Sequence, residues 1–225
     1  GGRKEGLMLL DRLGGLKDYR RNRDYPATNS TSKLSAHLKF GTVSVREVYW
    51  AAVEKGLDES FVRQLYWRDF YTYIAYHYPH VFGHAFNSRY DNVIWENDIA
   101  KFNAWKEGKT GFPFVDAGMR ELNETGYMHN RARLVAASFL VKDLHIDWRW
   151  GEKYFAQKLI DYDPSVNNGN WQWVASLGLD PKYYRSFNPW LQQRKFDPEC
   201  KYIKNWVAEL IPYKPEIIHN LDSYW

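Results

Sequence analysis

Two aspartates, three asparagines and two tryptophans share sixteen residues, DYDPSVNNGNWQWVAS, at 161–176. Carboxylates at Asp161 and Asp163 can hold a divalent cation, pair with an arginine, or cap the helix that follows. Amides in such density are poor material for a helix core, and paired indoles are unusual in a surface loop. A second chemically equipped stretch is Thr31-Ser32-Lys33-Leu34-Ser35. Three hydroxyls, a cation and successive backbone N–H groups at a helix start suit a phosphate or diphosphate, or serve as a plain Ser/Thr N-cap. His77, His80 and His84 have spacings that could suit a metal, but Pro79 and Gly83 interrupt any helix there, so they read as a surface loop. No metal site is expected.

The 225 residues are enough to bury a sizeable core. Charged residues make up 26%, and no apolar run approaches the ~18 residues of a membrane span. One cysteine, Cys200, excludes a disulfide framework and any all-cysteine metal site. An intracellular protein is expected, in which the sequons at Asn29 and Asn123 carry no weight. The net charge of +4 is uneven, because residues 1–46 hold ten Lys/Arg against four acids, +6, which leaves −2 for the remainder. A basic segment of this kind is either a solvated face or a seat for a polyanion. Eighteen per cent aromatic content, with 11 Trp and 17 Tyr, exceeds what a core needs and leaves rings for stacking on planar ligands.

These groups must be positioned by helices. Ser44 and Glu47 form a capping box ahead of Val45, Val48, Tyr49, Ala52 and Val53 on one face, with Gly56 as the stop. Further helices are expected over 59–78, 98–107, 113–125 (closed by Gly126), 131–145, 148–160, 169–177 and 200–210. Phe114, Val115, Gly118, Met119 and Leu122 form the apolar stripe of the 113–125 helix. No convincing period-2 strand, repeat or linker interrupts this pattern. The fold class expected is all-α, one domain over 1–225. Walker, GxGxxG and GxSxG signatures are absent.

The long motifs RDYPATNSTSKLSAHLKFGTVS (23–44), LYWRDFY (65–71), WKEGKTGFPFVDAGMREL (105–122), GYMHNRARLVAASFLVKDL (126–144), DWRWGEKYF (147–155), the 161–176 stretch and FNPWLQQRKFDPE (187–199) stand in one order. Together they resemble the C-terminal, FAD-binding domain of the DNA photolyase/cryptochrome family, nearest to the class I enzymes that repair cyclobutane pyrimidine dimers. The resemblance implies an all-helical domain holding FAD, active as reduced FADH⁻. By position, Tyr19 and Thr31, Ser32, Lys33, Leu34 and Ser35 take its phosphate side, and Phe61 and Gln64 flank the pocket. Asp161 would pair with Arg133 beside the flavin ring and, with Asp163, fix its orientation, while Asn167 would face N5.

The same resemblance implies UV-damaged DNA as partner. Trp67 and Trp173 would wall a flipped-out dimer, with Gln64, Asn130, Arg131, Gln192 and Arg23 on the lesion or its phosphates. Trp171, Trp148 and Trp95 would relay electrons inward to an oxidised flavin. Three departures stand out: Gln64 where the dimer-repair enzymes usually carry Glu, Leu134 where they usually carry Met, and no segment matching the family's α/β antenna domain. No antenna-pigment site is therefore expected in this chain, an antenna domain elsewhere is a possible partner, and a monomer is expected. The implied activity is light-driven dimer splitting. The alternative is a cryptochrome-type blue-light receptor, and a plain nucleic-acid binder would leave the Asp161/Asn167/Trp171 cluster without a purpose.

Overall fold

The computed structural model describes residues 1–179 and 186–221, and among these every regular element is helical. In chain order they are α1 Gly2–Arg12, α2 Tyr19–Asn22, α3 Ser35–Lys39, α4 Val45–Glu54, α5 Glu59–His77, α6 Ile99–Glu107, α7 Pro113–Thr125, α8 Asn130–Ser138, α9 Trp148–Lys158, α10 Pro164–Ala175, α11 Pro189–Phe196, α12 Lys201–Trp206 and α13 Pro215–Ile218. None is long and apolar enough to cross a membrane.

Local signals explain most boundaries. Glu47 accepts from the Ser44 backbone at 2.7 Å and Ser44 accepts from Glu47 N–H at 3.2 Å, closing the capping box of α4. Asp58, Asp98 and Asp163 each accept from the first free N–H groups of α5, α6 and α10. Gly126 ends α7 in the left-handed conformation (φ +69°), which costs a glycine nothing.

Several expected spans differ. Residues 131–145 are not one helix: α8 stops at Ser138 and a π turn follows over Phe139–Asp143, with Leu144 N–H reaching Phe139 C=O. The wider turn ends at His145, itself left-handed at φ +52°. α10 begins at Pro164 rather than near 169, because Asp163 and a first-turn proline outweigh the poor helix propensity of the Asn/Gly run. The 200–210 pattern divides into α12 and a 3-10 turn, Ala208–Leu210. α1, α2, α3, α11 and α13 lie outside the expected spans. Val53, expected on the buried face of α4, is 49% exposed.

Apolar burial falls into two clusters. The larger joins α7, α8, α9, α10 and α12 around fully buried Trp105, Phe114, Met119, Leu122 and Leu140. The smaller gathers Leu10, Leu13, Tyr19, Leu34, Val43, Val48 and Ala52 around Phe61 and Leu65. The first half of α5 supplies Phe61 and Leu65 to the smaller cluster, and Tyr71 farther along lies over Gly169 of α10. A Cβ at Gly169 would stand 2.1 Å from the Tyr71 ring, so only glycine permits that approach.

Candidate functional site

Asp161 lies in the middle of the loop between α9 and α10, its side chain only 3% exposed. Arg133 on α8 donates through Nη2 to both carboxylate oxygens, at 3.1 and 2.9 Å, and through Nε to the Met128 carbonyl at 2.7 Å. The expected pairing is thus formed. A buried carboxylate without such a partner would be strongly destabilising. Tyr127 lies under the guanidinium, 5.6 Å from its ring centroid, and burial with the Asp161 and Glu121 charges pushes its phenol pKa up against the pull of Arg133 and Thr31.

Asp163 does not face a cation. Its oxygen accepts from Ser165 and Val166 N–H at 3.0 and 3.1 Å, so with Asp161 paired to Arg133 the cation option for this pair lapses. Asn167 follows on the same first turn of α10. Its Nδ2 donates to the Glu152 carboxylate at 2.9 Å and to the Glu152 carbonyl at 3.2 Å, leaving the amide oxygen as its remaining acceptor. Burial raises the pKa of Glu152, partly offset by hydrogen bonds from Asn167 and Tyr162. Glu152 escaped the sequence reading because a lone acid in DWRWGEKYF carries no spacing signal.

Most other amides of the 161–176 stretch hold structure. Asn168 donates to Val81 C=O at 2.9 Å, and buried Gln172 donates to Val81, His84 and Asn168 while accepting from Phe86 N–H at 2.6 Å. They clip the 81–86 loop to α10, which accounts for amides in a buried helix. In that loop His84 lies 3.6 Å from Asp91, and His77 stacks on Tyr73 instead.

The 31–35 segment is not a simple N-cap. Leu34 precedes α3 without a capping side-chain bond, and Thr31 engages Tyr127. Lys33 adopts φ +52° with its ammonium 6.0 Å from the Tyr127 ring centroid, the same ring that Arg133 approaches. Tyr19 is buried edge-on against Phe61 at 5.2 Å, with the Arg23 guanidinium 5.6 Å from its ring. Thr31 and Lys33, expected on the phosphate side, and Arg133, expected beside the ring, thus meet around Tyr127.

On α5, Gln64 donates to Ser60 C=O at 2.7 Å, and Trp67, three residues on, is 45% exposed beside Tyr71. Trp173 is half-buried, 6.1 Å from Phe187, and Asn130 is exposed at the start of α8. Arg131 is drawn inward: it pairs with Asp24 at 2.8 Å, donates to Gln192 at 3.2 Å and lies 4.1 Å over Phe196. Trp171 is 2% exposed, with Phe155 and Trp105 as aromatic neighbours at 5.0 and 6.2 Å. Trp148 is 1% exposed under the Arg149 guanidinium, and Trp95 is partly exposed against the same core. Trp105, the first residue of the 105–122 motif, is fully buried and bonded through its indole N–H to Ala136 C=O at 2.9 Å.

The profile of the family described as the FAD binding domain of DNA photolyase matches residues 61–224. The chain belongs to this family. A deoxyribodipyrimidine photo-lyase of Alkalihalophilus pseudofirmus is 45% identical over 218 residues, 95% of this chain and 45% of that one. The Escherichia coli protein of that name is 45% identical over 214 residues, covering 91% of this chain and 45% of its own. Among solved structures, an archaeal photolyase from Sulfolobus tokodaii with two FAD molecules is 60% identical, with TM-score 0.92 over 98% of this chain and 50% of that one. A class III photolyase from Agrobacterium tumefaciens is 40% identical with TM-score 0.93. This photolyase-family domain spans about half the length of the curated relatives it matches.

The residues present fit FAD. Lys33 and Arg133 offer cations suited to a diphosphate, and the Asn167 amide oxygen offers an acceptor suited to a polar planar ring.

Proposed function

We propose that this domain holds FAD and repairs cyclobutane pyrimidine dimers in DNA under blue light. The flavin, when bound and reduced as FADH⁻, supplies an electron released by light. Everything else falls to the protein. Arg133 and Asp161 keep a polar wall against the ring without leaving either charge unpaired. Asn167, its amide nitrogen tied to Glu152, offers an oxygen acceptor, which suits N5–H of a reduced flavin better than bare N5. Trp67 and Trp173 wall the place of a dimer turned out of the duplex, and Gln64 hydrogen-bonds its base edge. Asn130 and the basic N-terminal segment meet the phosphates. Ring opening consumes no proton and the electron returns to its donor, so no general acid is required.

The single observation that carries this reading is the Asn167–Glu152 hydrogen bond, which ties up the amide nitrogen and leaves the amide oxygen as the acceptor this reading needs at N5–H. Damaged DNA, rather than DNA in general, is the partner. The chain acts as one domain, and any antenna pigment resides outside residues 1–225.

The test is loss of dimers from UV-irradiated oligo(dT), mixed with FAD-loaded protein and lit with blue light after chemical reduction of the flavin. Recovery of thymine absorbance in light and not in darkness is expected. A folded, yellow protein that leaves the dimers intact would overturn the repair reading in favour of a photoreceptor.

A further inference from the structure

Asp24 is absorbed by none of the roles above, yet it sits among the groups assigned to DNA. Its Oδ1 is 2.8 Å from Nη2 of Arg131 and 3.8 Å from Nε of Arg23. The Arg131 side chain is 13% exposed and that of Asp24 28%, so the pair lies at the surface but is largely removed from water. Gln192 takes a second edge of the guanidinium and Phe196 covers its face. Arg131 Nε is buried without a partner. The turn carrying Asp24 is anchored: Tyr25 packs edge-on against Phe196 at 5.8 Å and Tyr25 N–H bonds to Asn22 C=O at 3.1 Å. Asp24 is therefore held against Arg131 rather than swinging freely.

A carboxylate oxygen at this distance occupies the position in which a phosphate oxygen would meet an arginine. A DNA strand that needs Arg131 must displace Asp24 and leave that carboxylate near its own phosphates. Undamaged duplex offers nothing in return. A strand with a base pair turned out into the pocket gains the stacking and hydrogen bonds that offset the displacement. Specificity of this form comes from a repulsive element that both ligands face and only one can overcome.

We propose that Asp24 is a specificity-determining residue, a built-in competitor that withholds Arg131 from undamaged DNA. The proposal rests on the part of the proposed function that makes lesion-bearing DNA the ligand.

Asp24→Asn keeps an oxygen acceptor for Arg131 and removes the charge. It is expected to bind undamaged duplex about tenfold more tightly at low salt, with lesion-bearing duplex gaining less, so discrimination falls. The plot of log affinity against log salt for undamaged duplex should steepen by about 0.9, the signature of one further phosphate neutralised. In an Arg131→Gln background the gain should vanish. Asp18→Asn removes the same charge from an exposed position nearby in the chain and should leave discrimination unchanged.

Equal weakening toward both DNAs with an unchanged slope would reduce Asp24 to a structural anchor and overturn the proposal. So would a gain that persists without Arg131, an equal gain from Asp18→Asn, or no DNA binding by either wild type or variant. Asp24→Ser serves in the same assay should the amide variant melt early. If discrimination depends on Asp24 as described while light repairs nothing, the repair reading fails and this inference stands.

Discussion

A Cβ on Gly151 would stand 2.1 Å from the six-membered ring of Trp171 and 2.5 Å from Leu140, so α9 meets α10 at a point where only a hydrogen fits. Trp148 lies one turn before Gly151 on α9, which places the two expected inner relay positions on the same helix–helix contact. Gly151→Ala must push α9 away or turn the indole out of its seat. The cost expected is about 1–3 kcal/mol, as for added carbon in a filled core. A lower melting temperature and slower photoreduction of bound FAD, together, are the outcome. A variant with unchanged melting and photoreduction would mean that the contact relaxes without effect.

Asp161→Asn leaves hydrogen-bonding atoms in place but removes the charge opposite Arg133. Because the Arg133 side chain is 25% exposed while that of Asp161 is 3% exposed, the loss should fall at the lower end of the ~3–5 kcal/mol for breaking a buried pair. FAD retention through gel filtration should drop, with helical content preserved. Retention equal to wild type would separate this pair from the flavin site.

His129 gives a pH dependence of known sign. Burial, aided by the Arg133 and Arg131 charges and opposed by Asp24, lowers its pKa to about 4. The unfolded imidazole titrates near ~6.5, so between these values the unfolded chain takes up a proton that the folded chain refuses. The stabilisation is fully present above the unfolded value and is lost as pH falls toward about 4. At 1.36 kcal/mol per pH unit the loss approaches about 3 kcal/mol. His129 also caps α8 through Nδ1, which accepts from Arg131 N–H, a role that asparagine can take. Burial raises Glu121, Asp116 and Asp197, which favours the fold at low pH in wild type and variant alike. Unfolding of wild type and His129→Asn from pH 8 to 4 should therefore show their gap shifting toward the variant. A constant gap would remove His129 as the titrating group.

What the sequence revealed and what it hid follow from the range of the interactions involved. Ser44 with Glu47, and Pro113 with Gly126, are local signals, and the elements they bound form as read. The apolar stripe of α7 is buried throughout because its periodicity is a direct record of burial. The π turn after Ser138 has no composition signal, since it is imposed by packing on the larger core. Among the site residues, Arg133 and Asp161 met as the resemblance implied. The partners that fix the others, Glu152 for Asn167 and Asp24 for Arg131, come from separate elements, and no spacing rule announces them. The amides of α10 were legible as unusual but not as loop clips, because their acceptors are backbone carbonyls of 81–84.

Trp95, Trp148 and Trp171 all pack with the larger core, so burial alone accounts for each of them. A relay makes a demand that packing does not. Trp171 and Trp148 are 2% and 1% exposed, and Trp95 is the one of the three that water reaches substantially. Electrons drawn from an external reductant would have to enter there. Trp95→Phe keeps an aromatic ring and most of the apolar burial while removing the more easily oxidised indole. The variant is expected to fold and hold FAD as wild type does, while photoreduction by an external thiol slows at least tenfold. With the flavin reduced chemically beforehand, dimer splitting should match wild type, because in the proposed reaction the repair electron starts on the flavin and does not pass through Trp95. Unchanged photoreduction would take Trp95 off the path. Repair lost even with pre-reduced flavin would assign Trp95 to the fold or the DNA surface.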